Sequence, residues 1–215
     1  MSLGARIAAG LWLGVLGAVF FFVGEFFLAD ETLLIDPSRD PDAFVAMVTS
    51  RDFAFFAGRG LVGIALEVVG AFALYLYLAP TRSEAWAFWG FLLATLGDLF
   101  GAGSFALLYV ALPGIGAVAQ TEGPAMLGAV QGGEFLFVLN GVLTLLGLVC
   151  FAVAIARSDR LPTASGLCVL LGFLLVPVPV FAIQLLANAL WGVGAVWMAW
   201  VATRNRGATP SAAAI

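Results

Sequence analysis

An all-α membrane protein, with six transmembrane helices in a single bundle and both termini cytoplasmic, is the fold class that three observations predict. The 215 residues are 63% hydrophobic and only 10% charged, with a mean hydropathy of +1.10, whereas soluble domains run near 45–50% apolar and ~25% charged. Apolar stretches of about 20 residues, the length that crosses a bilayer, recur along the whole chain. The cations, finally, fall in alternate connections. All nine basic residues are arginine, and lysine and histidine are absent. That excludes retinal-type Schiff bases, histidine-ligated haem or chlorophyll, Ser-His-Asp triads and histidine metal sites. The residues call for no cofactor or metal and offer no nucleic-acid surface; the partner they imply is the lipid bilayer. The net charge of −4 mainly reflects the first loop, where Asp30, Glu31, Asp36, Asp40, Asp42 and Asp52 concentrate. Asp36, Asp40 and Asp42 lack the glycine and terminal glutamate of a calcium loop.

The first span is expected over 5–29, with Glu25 its one charge after Arg6. Asp40-Pro41-Asp42 then makes a helix start, an Asp cap with Pro at the first helical position, and Phe44, Met47 and Val48 follow at helical spacing. A short helix on the outer membrane surface is expected there. The second span, 53–79, contains Arg59 and Glu67; the third, 85–112, contains Asp98. Between 113 and 133, Gly114, Gly116, Gly123, Pro124, Gly128, Gly132 and Gly133 predict a re-entrant or surface segment and not a regular span. The fourth span covers 134–157. The uncharged run 161–203 would reach ~65 Å as one helix, about twice the hydrocarbon core. Pro177 and Pro179 divide it into spans 161–178 and 180–203, because proline lacks the amide donor and restricts its predecessor. A disordered cytoplasmic tail, 204–215, completes a chain whose single transmembrane domain is 1–203.

Cytoplasmic loops collect positive residues. With the N-terminus inside, Arg6, Arg82, Arg157, Arg160, Arg204 and Arg206 are cytoplasmic and Arg39 and Arg51 outside. No small-x-small cleavage site follows the first apolar run, which therefore reads as a retained anchor. Trp86, Trp89, Trp197 and Trp200 fall at inner helix ends, where an interfacial aromatic belt is expected. Cys150 and Cys168 read as small apolar packing residues.

Ionisable groups at membrane depth cost a few kcal/mol or more, which makes them functional candidates. Glu25, Arg59, Glu67, Asp98 and Glu134 are the five. Glu67 lies 15 residues before Arg82 and Asp98 lies 16 after it, so both sit ~23 Å from that turn, near the midplane. At 100° per residue Arg59, Gly63, Glu67 and Gly70 share one face of the second span. Gly90, Gly97, Gly101 and Ser104 form a stripe on the third, with Asp98 beside it. On the first span Gly10, Gly14, Gly17 and Gly24 share a side with Glu25 at its margin. Gly10/Gly14 and Gly97/Gly101 have the G-x-x-x-G spacing of close helix packing. Gln184, Asn188, Trp191 and Ala195 make an inward stripe on the last span, and Asn140 and Thr144 add polar groups on the fourth.

Glu25, Arg59, Glu134, Asn140, Gln184 and Asn188 all fall in the outer half of the membrane. They predict an outward-opening polar pocket with Glu67 and Asp98 as its floor and as its candidate catalytic groups. The structural alternative is that Arg59 forms a buried ion pair with Glu25 or Glu67, with the amides bonding across helices and the midplane carboxyls protonated and hydrogen-bonded.

The run Cys150-Phe-Ala-Val-Ala-Ile-Ala-Arg-Ser-Asp-Arg-Leu-Pro-Thr-Ala-Ser-Gly166, together with Ala5-Arg-Ile-Ala-Ala-Gly10, resembles a bacterial family of six-helix membrane proteins catalogued as a domain of unknown function. The resemblance implies a six-helix fold in the bacterial cytoplasmic membrane and supplies no activity or site residue.

Three functions fit these residues. The first is binding or transport of a small amphipathic or lipid-like molecule, proton-coupled through Glu67 and Asp98. The two halves show no sequence repeat of the kind transporters carry, and a homodimer would supply a second half. The second is a membrane-embedded acid–base enzyme resembling integral-membrane terpene cyclases, in which a carboxylic acid protonates a prenyl ligand and aromatic faces stabilise the cation. The third is a non-catalytic accessory or assembly subunit.

Overall fold

The computed structural model describes residues 1–28, 39–123, 134–178 and 180–205, with side chains for all of these except 24–28, 122 and 134. Pro179, residues 113–133 from Pro124 onward and the expected tail from Arg206 lie outside the described residues. Among them every regular element is helical: α1 (Leu3–Leu28), α2 (Pro41–Val48), α3 (Arg51–Leu78), α4 (Glu84–Ala106), a π-helical turn (Leu107–Ala111), α5 (Leu112–Glu122), α6 (Glu134–Ser158), α7 (Thr163–Leu175) and α8 (Phe181–Arg204). Five stretches are long and apolar enough to cross a membrane: Leu3–Val23, Arg51–Leu78, Glu84–Thr121, Phe135–Ser158 and Phe181–Arg204.

Two segments differ from the expectation. The third span does not stop at 112; it runs on through the π turn and α5, a stretch of 38 residues. The wide turn lies just before Pro113, which has no amide for the carbonyl one turn back, and the amide of Leu112 bonds instead to Leu107. The glycines of this region therefore sit partly in a helix. The fifth expected span, 161–178, is helical over only 13 residues, ~20 Å against a hydrocarbon core of ~30 Å. Pro177 is the cause: it cannot donate to Phe173, whose carbonyl takes the amide of Val176 at 3.2 Å.

α2 forms where Asp40-Pro41 predicts it, with the Asp40 carboxylate accepting from the amide of Ala43 at 3.0 Å. Its apolar face is not spread on a surface. Phe44, Val45 and Val48 pack with Phe53 and Ala119 in a small cluster joined by Leu108, Leu112 and Ile115, and a methyl group at Gly116 would meet Val48 Cγ2 at 2.7 Å.

The six longer packing elements close into a ring: α1 on α3, α3 on α4, α4 on α6, α6 on α7, α7 on α8 and α8 back on α1. Three of these seams are antiparallel and built on small residues. Between α1 and α3, Gly10 faces Ala73, Gly14 faces Gly70, and Gly17 faces Gly63 and Glu67; a methyl group at Gly70 would lie 2.7 Å from Gly14 Cα. Between α4 and α6, Gly90 faces Phe151, Gly97 faces Thr144 and Gly101 faces Asn140. Between α7 and α8, Gly172 faces Ala187 and Trp191, and Gly194 faces Ser165 and Val169. Backbones at this distance gain dispersion contacts along their whole length, the attraction that remains when lipid removes the hydrophobic drive between helices.

The seams set the ends of the ring. The start of α1 reaches the finish of α8, where Trp12 Nε1 donates to Thr203 Oγ1 at 3.2 Å. At the same end the α3–α4 turn meets the α6–α7 turn: Arg82 Nε donates to the carbonyl of Arg157 at 2.8 Å and its Nη2 to Asp159 at 3.1 Å. Arg160 Nη1 donates to the carbonyl of Tyr77 at 2.9 Å, and Arg204 stacks on Trp200 at 3.7 Å. Arginines thus cover the last carbonyls of α3 and α6, the ends that favour cations. Asp159, at φ 55°, makes the left-handed turn that ends α6. Trp86, Trp89, Trp197 and Trp200 are all exposed on the ring's outside.

Candidate functional site

The helices that pack tightly in pairs leave space along the ring axis. A cavity of about 150 Å³ lies in the half away from the arginine end, bordered by Phe21, Ile64, Phe105 and Asn140, among others. A second, of about 100 Å³, lies toward the arginines, bordered by Leu11, Leu74, Phe151 and Met198, among others. Glu67, Asp98, Thr144 and Trp191 border both. The two carboxyls therefore stand at a waist, the floor of one cavity and the roof of the other.

Each carboxyl reaches the waist because a glycine seam holds its helix close. Glu67 follows Gly63 and precedes Gly70, the residues on which α1 lies, and its own Cγ is against Gly17. Asp98 adjoins Gly97, which sits on the backbone of Thr144 and Asn140. Asp98 is 6% exposed and takes no hydrogen bond from a described residue. The Oε1 atom of Glu67 is buried and likewise has no partner among the described residues. A buried carboxyl left without a donor loses its hydration without replacement, a cost that structural polar groups avoid by bonding.

Its neighbours are bonded. Asn140 Nδ2 donates to the carbonyl of Gly97 at 2.8 Å, tying α6 to α4, and to Thr144 Oγ1 at 3.4 Å. Asn188 Nδ2 donates to the carbonyl of Gln184 one turn back, at 2.9 Å. Asn140 and Asn188 both border the upper cavity; the side chain of Gln184 borders neither. Arg59, 5% exposed, points to α1: Nη1 donates to the carbonyls of Phe20 at 2.7 Å and Phe21 at 3.3 Å, and its guanidinium lies 4.8 Å from the centre of the Phe56 ring. Glu67 lies two helical turns further along α3. The side chains of Glu25 and Glu134, the other expected pocket acids, lie outside the described residues.

The sequence offers aromatic faces in general but does not single out the phenylalanines that border the cavity. Phe21, Phe105, Phe173 and Trp191 border the upper cavity as two tilted pairs, Phe21 with Phe105 at 6.3 Å and Phe173 with Trp191 at 5.6 Å. Of these only Trp191 fell on a stripe with polar neighbours. Phe105 is placed by Gly60, which leaves room for its ring, and no periodicity on α4 announces that. On the outside an open groove of about 660 Å³ separates α1 from α8, and its wall shares Ala18 and Asn188 with the upper cavity.

The described residues make an apolar, all-helical structure with five helices long and apolar enough to cross a membrane. Comparison with protein-family models, with curated proteins and with solved structures gives no match.

Proposed function

We propose that this protein binds a small amphipathic molecule in the axial cavity of a six-span bundle and carries it across the membrane, with Glu67 and Asp98 exchanging protons for it. The arginine end is the cytoplasmic end, with α7 and the turn after it making the sixth crossing, in the cytoplasmic membrane of a bacterium. The observation that carries this reading is the pair of donor-less carboxyls at the waist between the two cavities. Most buried polar side chains are bonded, as Asn140 is, and an ionisable group left unbonded at membrane depth is a candidate for a ligand or a proton. The groove between α1 and α8 supports access from the lipid, since its wall reaches the cavity at Ala18 and Asn188. The size of the cavity favours this over a prenyl-converting enzyme. A cavity of about 150 Å³ holds a molecule the size of benzene, and a chain of several isoprene units is larger.

The test is mass spectrometry of small molecules that co-purify with the detergent-solubilised protein, comparing wild type with the Glu67→Gln, Asp98→Asn double variant. A defined molecule in the wild type that is missing from the folded variant is the expected result. The same content in both, or bulk lipid alone in both, would overturn the reading in favour of a packing role.

A further inference from the structure

We infer that the upper cavity is a site for a small organic monocation of trimethylammonium size, held between the carboxyls of Glu67 and Asp98 and the ring faces of Phe21, Phe105, Phe173 and Trp191. This rests on the reading of the axial cavity as a ligand site and names the class of its ligand.

Three observations converge. Asp98 is nine-tenths buried, takes no hydrogen bond from a described residue and borders the cavity. The cavity wall carries two aromatic pairs contributed by different helices, α1 with α4 and α7 with α8. Ring faces are negative and attract a desolvated cation; cages of such faces are how proteins hold quaternary ammonium groups, which cannot donate hydrogen bonds. The volume of about 150 Å³ suits a compact cation and excludes a bulky one. An aromatic wall alone would suit any apolar guest, and a carboxyl pair alone would suit a metal or a proton. Their combination selects a positive charge wrapped in methyl groups.

Charge balance follows. With one carboxyl ionised and the other protonated, a bound monocation leaves the site neutral, so a cation entering the doubly protonated site displaces one proton. Among the described side chains no other acid or base lies at this height. α1 carries none between Arg6 and Glu25, α6 none between Glu134 and Arg157 except the thiol of Cys150, α7 only Cys168, and α8 none before Arg204; on α3 the nearest charge is Arg59, directed at the carbonyls of α1.

Calorimetric titration of the full-length protein in detergent tests this, with choline and with its uncharged isostere, in which a tert-butyl group replaces the trimethylammonium. Choline is expected to bind at least tenfold more tightly than the isostere. Its affinity should fall about tenfold per pH unit on acidification, where one proton competes with one cation. Asp98→Asn should lose choline binding, and Trp191→Leu or Phe173→Leu should weaken choline several-fold while leaving the isostere unchanged. Equal binding of choline and isostere would overturn the cation assignment and leave the cavity as an apolar ligand site. If neither binds, the assignment fails. The co-purification experiment then decides separately whether the cavity reading fails with it.

Discussion

The seams and the axis of this bundle are made by the same helices from opposite resources. In the α1–α3 seam a methyl group at Gly70 has nowhere to go, 2.7 Å from Gly14 Cα. A few ångströms around the helix, Glu67 and Asp98 border open volume, and the buried Oε1 of Glu67 has no partner among the described residues. One region is over-determined by contact and the other left unsatisfied, so the first holds the fold and the second is free to be used. Glycine itself makes the same division, because Gly141 and Gly192 face open space where Gly14 and Gly70 face backbone.

Substitutions can break that comparison. The largest effect is expected from Gly70→Leu or Gly14→Leu, where a side chain would push two backbones apart. Overpacking typically costs about 1–3 kcal/mol, and contact with backbone places these at or above the top of that range, read as loss of monodisperse protein in detergent. Arg59→Leu comes next. It leaves the carbonyls of Phe20 and Phe21 without a charged donor, a loss of about 1.5–3 kcal/mol, visible as a lowered Tm; an unchanged Tm would show that this contact does not hold α1 to α3. The smallest effect is expected at Gly192→Ala, which adds a methyl group into open space and exchanges a poor helix former for the best one. Up to about 1 kcal/mol of stabilisation is available there, and a melting scan that found destabilisation equal to that of Gly70→Leu would erase the distinction between seam and open face.

Two of the three seams were legible in the sequence because their logic is periodic, whereas the α7–α8 seam at Gly172 and Gly194 was not read there. Gly10, Gly14 and Gly17 recur on one face, as do Gly90, Gly97 and Gly101, and a wheel finds such faces without coordinates. That Glu67 and Asp98 stand at one level was legible for a similar reason, since both count from Arg82. What a wheel cannot supply is the neighbour of a residue on another helix. Arg59 and Glu67 share a face, but no wheel says that this face lies on α1 or that Arg59 donates to the carbonyls of Phe20 and Phe21. Phe21, Phe105 and Phe173 are three of nineteen phenylalanines, and nothing local separates a ring that borders a cavity from one that faces lipid. The helix through 113–122 was hidden by its glycines and Pro113, which read as breakers until a single π turn absorbs the proline.

The central claim is that Glu67 and Asp98 serve a ligand and not the fold. The most direct measurement is the melting temperature of the Glu67→Gln, Asp98→Asn double variant beside that of the wild type, in the same detergent without added ligand. Unbonded carboxyls contribute nothing to the fold, so the account predicts a Tm equal to or above that of the wild type. A clear fall would contradict it, because only groups that hold helices together are missed when they are removed.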